Sequence, residues 1–274
     1  MRRTALITGC GKSAGIGAAS ARLLAARGFA VVVSDVAGAG AADLDEPAQR
    51  VESDRDGLDG LVAEIRAAGG EALAVVADVA DEADVDRLTA AAVEAFGTLD
   101  VLVNNAAAPF GLGHGDIATI AAADWDRAMA VNLKGTFLVC RAAVPHMRRA
   151  GWGRIVNISS AAGRAGSRAN ATYAAAKAGI IGFTRSLALD VAPDFITANA
   201  ICPGMILTRR MRSGARHAGG GDEQAGIDTI VARTPISRPG TPEEVAAMVA
   251  WLASDDAGFV TAQAIGIDGG TLKF

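Results

Sequence analysis

The stretch Thr4-Ala5-Leu6-Ile7-Thr8-Gly9-Cys10-Gly11-Lys12-Ser13-Ala14-Gly15-Ile16-Gly17 decides the fold, together with the alanine- and leucine-rich run over 18–27 that follows it. A short apolar strand enters a glycine-rich loop and then a helix that Gly28 stops, the opening of a βαβ unit. Glycines at that junction let backbone N–H groups approach a pyrophosphate, and the helix N-terminus attracts its charge. Gly9, Gly15, Ile16 and Gly17 are therefore candidate cofactor-binding residues. A second register, Gly9-Cys10-Gly11-Lys12-Ser13-Ala14, also fits the dinucleotide fingerprint with alanine last, and the sequence leaves the choice open.

Working outward, strand patterns over 30–35, 72–78, 99–104, 154–159, 195–201 and 264–268 join the first strand. Helical patterns over 58–68, 81–96, 125–149, 172–191 and 242–253 lie between them. Alternation of this kind gives an α/β fold, a Rossmann-type doubly wound parallel sheet of about seven strands in a single domain spanning 1–274. Two segments depart from the pattern. Residues 36–56 form a long insertion after the second strand, read either as a flap beside the cofactor or as a solvated loop. Residues 212–226, within a substrate-side segment over 209–230, are glycine-rich and read as mobile, because such composition buries little.

The second strand ends at Asp35, 18 residues after Gly17, where a carboxylate can accept hydrogen bonds from ribose hydroxyls; a plain turn-forming aspartate is the alternative. A second constellation is Ser159-Ser160 followed by Tyr173-Ala174-Ala175-Ala176-Lys177. Residues four apart on a helix share a face, so the Tyr173 hydroxyl and the Lys177 ammonium can converge. A neighbouring cation favours phenolate and moves a tyrosine toward the neutral range as an acid/base.

Composition narrows the class. Hydrophobic residues are 51% of the chain, charged residues 20%, and the net charge is -4, which fits a globular protein and excludes a phosphate-tracking, nucleic-acid-binding surface. No apolar stretch approaches the ~18 residues of a membrane span, and the start lacks a signal-peptide core, so a cytoplasmic protein with no membrane partner is expected. Cys10, Cys140 and Cys202 are scattered, as are His114, His146 and His217, which fits neither a disulfide framework nor a metal site.

Taken together, Thr8-Gly9, Gly15-Ile16-Gly17, Asp78-Val79, Asn104-Asn105-Ala106, Asn132, Ser160, Tyr173, Lys177, Pro203-Gly204 and Asp268-Gly269-Gly270 resemble, over nearly the whole chain, the single-domain short-chain dehydrogenases/reductases. The resemblance implies that Tyr173 exchanges a proton with the substrate oxygen and that Ser160, at the family's spacing of 13 before it, hydrogen-bonds that oxygen. It implies that Lys177 grips the nicotinamide ribose and lowers the Tyr173 pKa, while Asn132 holds a water linking Lys177 to solvent. Asp78 would face adenine, with Val79 beside it; Asn104 and Asn105 would sit beside the cofactor; Pro203, Gly204 and Thr208 would fix its nicotinamide end. Three positions depart from the family pattern: the loop has five residues between Gly9 and Gly15 where three are usual, and Ala107 and Ala262 replace glycines.

The expected activity is NAD(H)-dependent interconversion of a secondary alcohol and a ketone. An NADPH-dependent 3-oxoacyl-thioester reductase is the alternative, and a non-catalytic dinucleotide sensor a third. Asp35 favours NAD by repelling the 2′-phosphate of NADP, whereas Lys12 in the enlarged loop favours NADP. Arg209, Arg210 and Arg212 suit either an anionic substrate or a solvated surface. A homotetramer is implied by the resemblance, and the apolar runs over 174–183 and 245–252 are consistent with subunit contacts.

Overall fold

The computed structural model describes residues 2–41 and 57–272. Strands β1 (Thr4–Thr8), β2 (Ala30–Asp35), β3 (Glu71–Val76), β4 (Val101–Asn104), β5 (Gly153–Ile158), β6 (Ile196–Pro203) and β7 (Ala264–Ile267) pair in parallel in one seven-stranded sheet of order 3-2-1-4-5-6-7. Strands β1, β4, β5 and β6 are buried along their whole length, which is why they read as continuous apolar runs: a parallel sheet is covered on both faces.

Period-two alternation sorts their side chains into two cores. Ala5, Ile7, Val31 and Val33 meet α1 (Ile16–Ala26), α2 (Gly57–Ala67) and α10 (Pro242–Leu252) through Leu24, Leu61, Ile65, Val245 and Val249. Leu6, Val32 and Leu102 face the other way, toward Leu88 of α3 (Glu82–Phe96), Leu138 and Met147 of α5 (Gly135–Ala150), and Ala188 and Val191 of α7 (Ala171–Val191). Each large apolar side chain buried this way contributes about 1.5–3 kcal/mol. Helix ends follow local chemistry. Asp81 accepts from the Asp84 N–H to start α3, Gly97 closes it in the left-handed region, and Thr241 with Glu244 forms a capping box on α10.

Strand order reverses between β1 and β4, so their carboxyl ends, Thr8 and Asn104, flank the crevice where doubly wound sheets bind ligands. Among the described residues no helix is long and apolar enough to cross a membrane.

The structure corrects the sequence reading in two places. The helix expected over 125–149 is α4 (Ala122–Met129), a π-helical turn over Ala130–Lys134, and α5. The segment expected to be a mobile glycine-rich loop, 212–226, lies instead mostly in two helices, α8 (Arg209–Ala218) and α9 (Glu223–Val231). Gly219 and Gly226 are packing residues, while Gly220 and Gly221, both with positive φ, make the turn between the two helices. A Cβ on Gly226 would stand 1.9 Å from the Ala215 carbonyl oxygen, so glycine is what lets α9 press against α8. Arg212 and Arg216 each pair with Glu223 at 2.6 Å across the same contact. A short helix, α6 (Ala162–Ala165), follows β5 and completes the elements around the crevice. Of the 36–56 insertion, residues 42–56 lie outside the described residues. Its first part turns back over the glycine-rich loop, where a Cβ on Gly11 would stand 2.3 Å from the Gly40 nitrogen.

Candidate active site

β5 ends at Ile158, and the chain leaves it through Ser159 and Ser160. The two serines face different tasks. Ser159 is buried and its hydroxyl donates to the Lys177 carbonyl at 2.7 Å, tying the strand end to α7. The Ser160 hydroxyl accepts from the Ala162 N–H at 3.1 Å and hydrogen-bonds the Tyr173 phenol. One turn beyond Tyr173 on α7, Lys177 is 2% exposed and its Nζ donates to the Ile158 carbonyl at 2.8 Å. That Nζ lies 5.6 Å from the Tyr173 ring centroid. The helical spacing of four thus delivers the convergence expected of it.

Burial works against both ionised forms. For Lys177 it dominates, holding the ammonium pKa below the ordinary lysine value. For Tyr173 burial pushes the phenol up, but the Lys177 and Arg210 cations and the Ser160 hydrogen bond outweigh it, and the pKa falls below the ordinary tyrosine value. The site therefore contains a phenol poised to give up and regain a proton.

Asn132 sits in the π-helical turn, a feature common at functional sites because it re-aims side chains out of the regular helical register. Its Nδ2 donates to the Ala128 carbonyl at 2.8 Å, while its Oδ1 is buried with no protein partner. A buried acceptor of this kind is the place for a bound water or ligand hydroxyl.

At the other end of the crevice α1 starts at Gly15, in extended conformation, with no side chain on its first N–H groups and no carboxylate in its first turn. This settles the register of the loop: Gly15-Ile16-Gly17 opens the helix, while Gly11 faces Gly40. Gly17 has no room for a side chain, since a Cβ would stand 2.5 Å from the Gly9 carbonyl oxygen and 2.7 Å from Asn105 Nδ2. Asn105 holds this junction by donating from Nδ2 to the Thr8 and Gly9 carbonyls, each at 2.9 Å. Thr8 answers with its hydroxyl, which accepts from the Asn105 and Ala106 N–H groups at 3.1 and 3.0 Å. An uncapped, anion-attracting helix end beside a close backbone approach fits a pyrophosphate.

Asp35, at the end of β2, accepts from the Gly11 N–H at 2.9 Å and the Val36 N–H at 2.8 Å. Burial raises its pKa, and these two bonds and Lys12 only partly offset that. The remaining expected residues divide. Asp78 lies beyond β3, its carboxylate paired with Arg127 at 2.8 Å and accepting from the Ala80 N–H. Val79 is buried against the position of Gly135. Asn104, expected beside the cofactor, is 5% exposed and spends its amide on Asn157 and Cys140, tying β4 to the neighbouring strand and helix. Pro203 ends β6, the Gly204 N–H donates to the Ile267 carbonyl at 2.9 Å, and Thr208 caps α8 by accepting from Met211. All three cysteines are buried. Burial raises their thiol pKa values, that of Cys140 to about 12, which leaves them inert.

Two contacts escaped the sequence reading: that of the Thr8 hydroxyl, which looks like any strand threonine, and that of Arg210, read as a substrate-side or solvated charge, whose guanidinium stands 4.8 Å from the Tyr173 ring centroid. The Arg209-Arg210 pair two residues after Pro203-Gly204-Met205-Ile206-Leu207 was the only available sign of the latter.

Residues 51–271 match the family model described as enoyl-(acyl carrier protein) reductase. The 3-oxoacyl-[acyl-carrier-protein] reductase of Synechocystis sp. is 38% identical over 274 residues, covering 99% of this chain and 98% of its own. The chain belongs to the short-chain dehydrogenase/reductase family. Another member, the short-chain reductase protein NovJ of Streptomyces niveus, is 40% identical over 97% of this chain and 92% of its own. Among solved short-chain reductases, actinorhodin polyketide ketoreductase with NADPH superposes with a TM-score of 0.88 at 37% identity, covering 100% of this chain and 98% of that one. The chain is accordingly an oxidoreductase of this family that uses a nicotinamide dinucleotide.

Proposed function

We propose that the chain interconverts a secondary alcohol and a ketone with NAD(H), using Tyr173 as the acid/base. The observation that carries the reading is the Ser160–Tyr173–Lys177 cluster at the crevice between the carboxyl ends of the strands, with its phenol pKa lowered. When bound, the cofactor supplies or accepts the hydride at the substrate carbon. In ketone reduction Tyr173 donates its proton to the carbonyl oxygen; in alcohol oxidation the phenolate removes the hydroxyl proton. Ser160 hydrogen-bonds the same oxygen and, through its bond to Tyr173, stabilises the phenolate. Lys177, fixed by the Ile158 carbonyl, lowers the phenol pKa and holds the nicotinamide ribose. Asn132 Oδ1 accepts from a water that reloads the proton.

At the adenosine end, Gly9, Gly15, Ile16 and Gly17 take the pyrophosphate, Asp35 the ribose hydroxyls, and Asp78, Val79 and Asn105 the adenine side. Pro203, Gly204 and Thr208 flank the nicotinamide. Asp35 favours NAD because its charge repels a 2′-phosphate. One observation favours the alternative, an NADPH-dependent 3-oxoacyl-thioester reductase: Lys12 lies near enough to Asp35 to offset its charge, and 3-oxoacyl reductases are among the similar proteins. The chain assembles as a homotetramer in the cytoplasm, with exposed Phe137, Leu189 and Phe259 as surface to be covered. Steady-state kinetics on a panel of ketones and secondary alcohols with both cofactors tests the reading. Turnover favouring NAD(H) is expected; a higher kcat/KM with NADP(H) selects the alternative, and no turnover on any panel member removes both.

A further inference from the structure

Arg210 helps to lower the Tyr173 phenol pKa, but the reaction above gives it no contact with the substrate. It lies in the first turn of α8, which carries no acidic residue, so the positive end of the helix dipole opposes its charge. Two other arginines of α8 that face α9, Arg212 and Arg216, share the Glu223 carboxylate. Arg210 instead turns inward. Its guanidinium carbon stands 4.8 Å from the Tyr173 ring centroid and 5.9 Å from that of Phe110. Nη1 donates to the Ala108 carbonyl at 2.7 Å, and among the described residues no carboxylate pairs with it. A guanidinium offers five N–H donors, so a fork remains for a ligand after that single bond. Phe110, Ala108 and the Tyr173 ring surround it with apolar surface, which strengthens an ion pair. A substrate whose carbonyl oxygen is on the Tyr173 hydroxyl brings its next one or two carbons within reach of this cation.

We propose that Arg210 binds a substrate carboxylate, and that the chain acts on short oxo acids and hydroxy acids whose carboxylate lies one or two carbons from the reacting carbon. This rests on the hydride-transfer reading. The Ala108 bond positions the fork, Phe110 flanks it, and a planar bidentate contact sets the orientation of the reacting carbon.

The test compares acetoacetate with methyl acetoacetate, which differ in charge and little in shape, for the wild type, Arg210→Ala and Arg210→Lys. Because both substrates use Tyr173, the ratio of their kcat/KM values at one pH cancels any effect of the substitution on the phenol. Wild type favours the acid, and Arg210→Ala loses about 10- to 100-fold more activity on the acid than on the ester, as loss of a charge-assisted pair implies. Arg210→Lys recovers part of the difference, since it keeps charge without the fork. Equal losses on both substrates, or a raised cofactor KM with the ratio unchanged, overturn the proposal. Calorimetry of acetoacetate on the enzyme–NAD+ complex gives a readout free of turnover: heat in wild type that disappears in Arg210→Ala supports the site, and equal or absent heat in both refutes it. A ketone panel reduced without preference for acids sinks this proposal alone; a panel with no turnover at all sinks the hydride-transfer reading.

Discussion

At the catalytic end of the crevice the frame is held by buried bonds: Lys177 by the Ile158 carbonyl, α7 by Ser159, Asn132 by Ala128 across a π-helical turn. At the adenosine end Asp35 stands only half-buried, held by two backbone N–H groups, one of them from the loop it would share with the cofactor. Chemistry that must place a proton within hydrogen-bond reach calls for the first kind of construction. Selection between two similar cofactors calls for the second, in which one side chain at a strand end changes the outcome and the frame is untouched.

The largest break between the two ends comes from Tyr173→Phe. It keeps the packed ring and removes the proton, so kcat falls about 10²–10⁴-fold while the cofactor dissociation constant stays near wild type. Fluorescence titration of reduced cofactor alongside turnover measures both, and a variant retaining more than about half of wild-type turnover removes Tyr173 from the acid/base role.

Lys177→Met sharpens the same end. The first effect on the buried ammonium is desolvation, so its loss relieves a penalty of several kcal/mol, against about 1.5–3 kcal/mol for the charge-assisted hydrogen bond to Ile158. Melting temperature is expected to hold or rise while activity drops by about tenfold or more, since the phenol loses its cation. The pH profile gives the sign. With a lowered phenol pKa, wild-type alcohol oxidation rises with pH to an inflection below the ordinary tyrosine value of about 10 and ketone reduction falls through it. In the variant both limbs move to higher pH. A melting temperature lowered by several degrees, with limbs unmoved, would show that Lys177 is a packing residue.

Gly17→Ala breaks the other end without touching chemistry. Its Cβ would stand 2.5 Å from the Gly9 carbonyl oxygen, and overpacking of this kind costs about 1–3 kcal/mol. Cofactor affinity should fall about 5- to 100-fold by calorimetry, with kcat at saturating cofactor changed far less. Unaltered affinity would mean that the Gly9–Gly17 approach does not shape the phosphate site.

How far each region could be read from sequence follows the same division. Strand patterns on β1, β2 and β4 gave their places because apolar continuity there is the direct consequence of burial on both faces. Tyr173 and Lys177 were legible because their spacing is a helical period, and Asp35 because it closes a strand. The loop register was not, since Gly9, Gly11, Gly15 and Gly17 look alike until Gly15 is seen to open α1 and Gly11 to meet Gly40. The α8–α9 pair failed for a related reason. Glycine reads as a breaker in one dimension, whereas Gly226 is required by the close approach of two helices, a fact of three dimensions. Arg210 was visible as a charge but not as a neighbour of Tyr173, because that contact joins elements far apart in the chain.

The smallest expected effect is also the one that separates the two ends by pH. The Asp35 carboxyl has its pKa raised, chiefly by burial. For the apo fold, a carboxyl whose folded pKa exceeds its unfolded value contributes stability that is fully present below about 3.9 and lost as pH rises through the folded value. Cofactor selection has the opposite sign over the same window, because the ionised carboxylate is what accepts from the ribose and repels a 2′-phosphate. Discrimination between NAD and NADP should therefore grow as pH rises from about 4 and level off once Asp35 is ionised. Asp35→Ala should flatten the curve and narrow the NAD preference by about tenfold, the worth of one charge-assisted hydrogen bond. Dissociation constants for the two cofactors by calorimetry, measured between acidic and neutral pH on both proteins, decide it. A preference independent of pH in the wild type would place the discrimination elsewhere, with Lys12 the first residue to substitute.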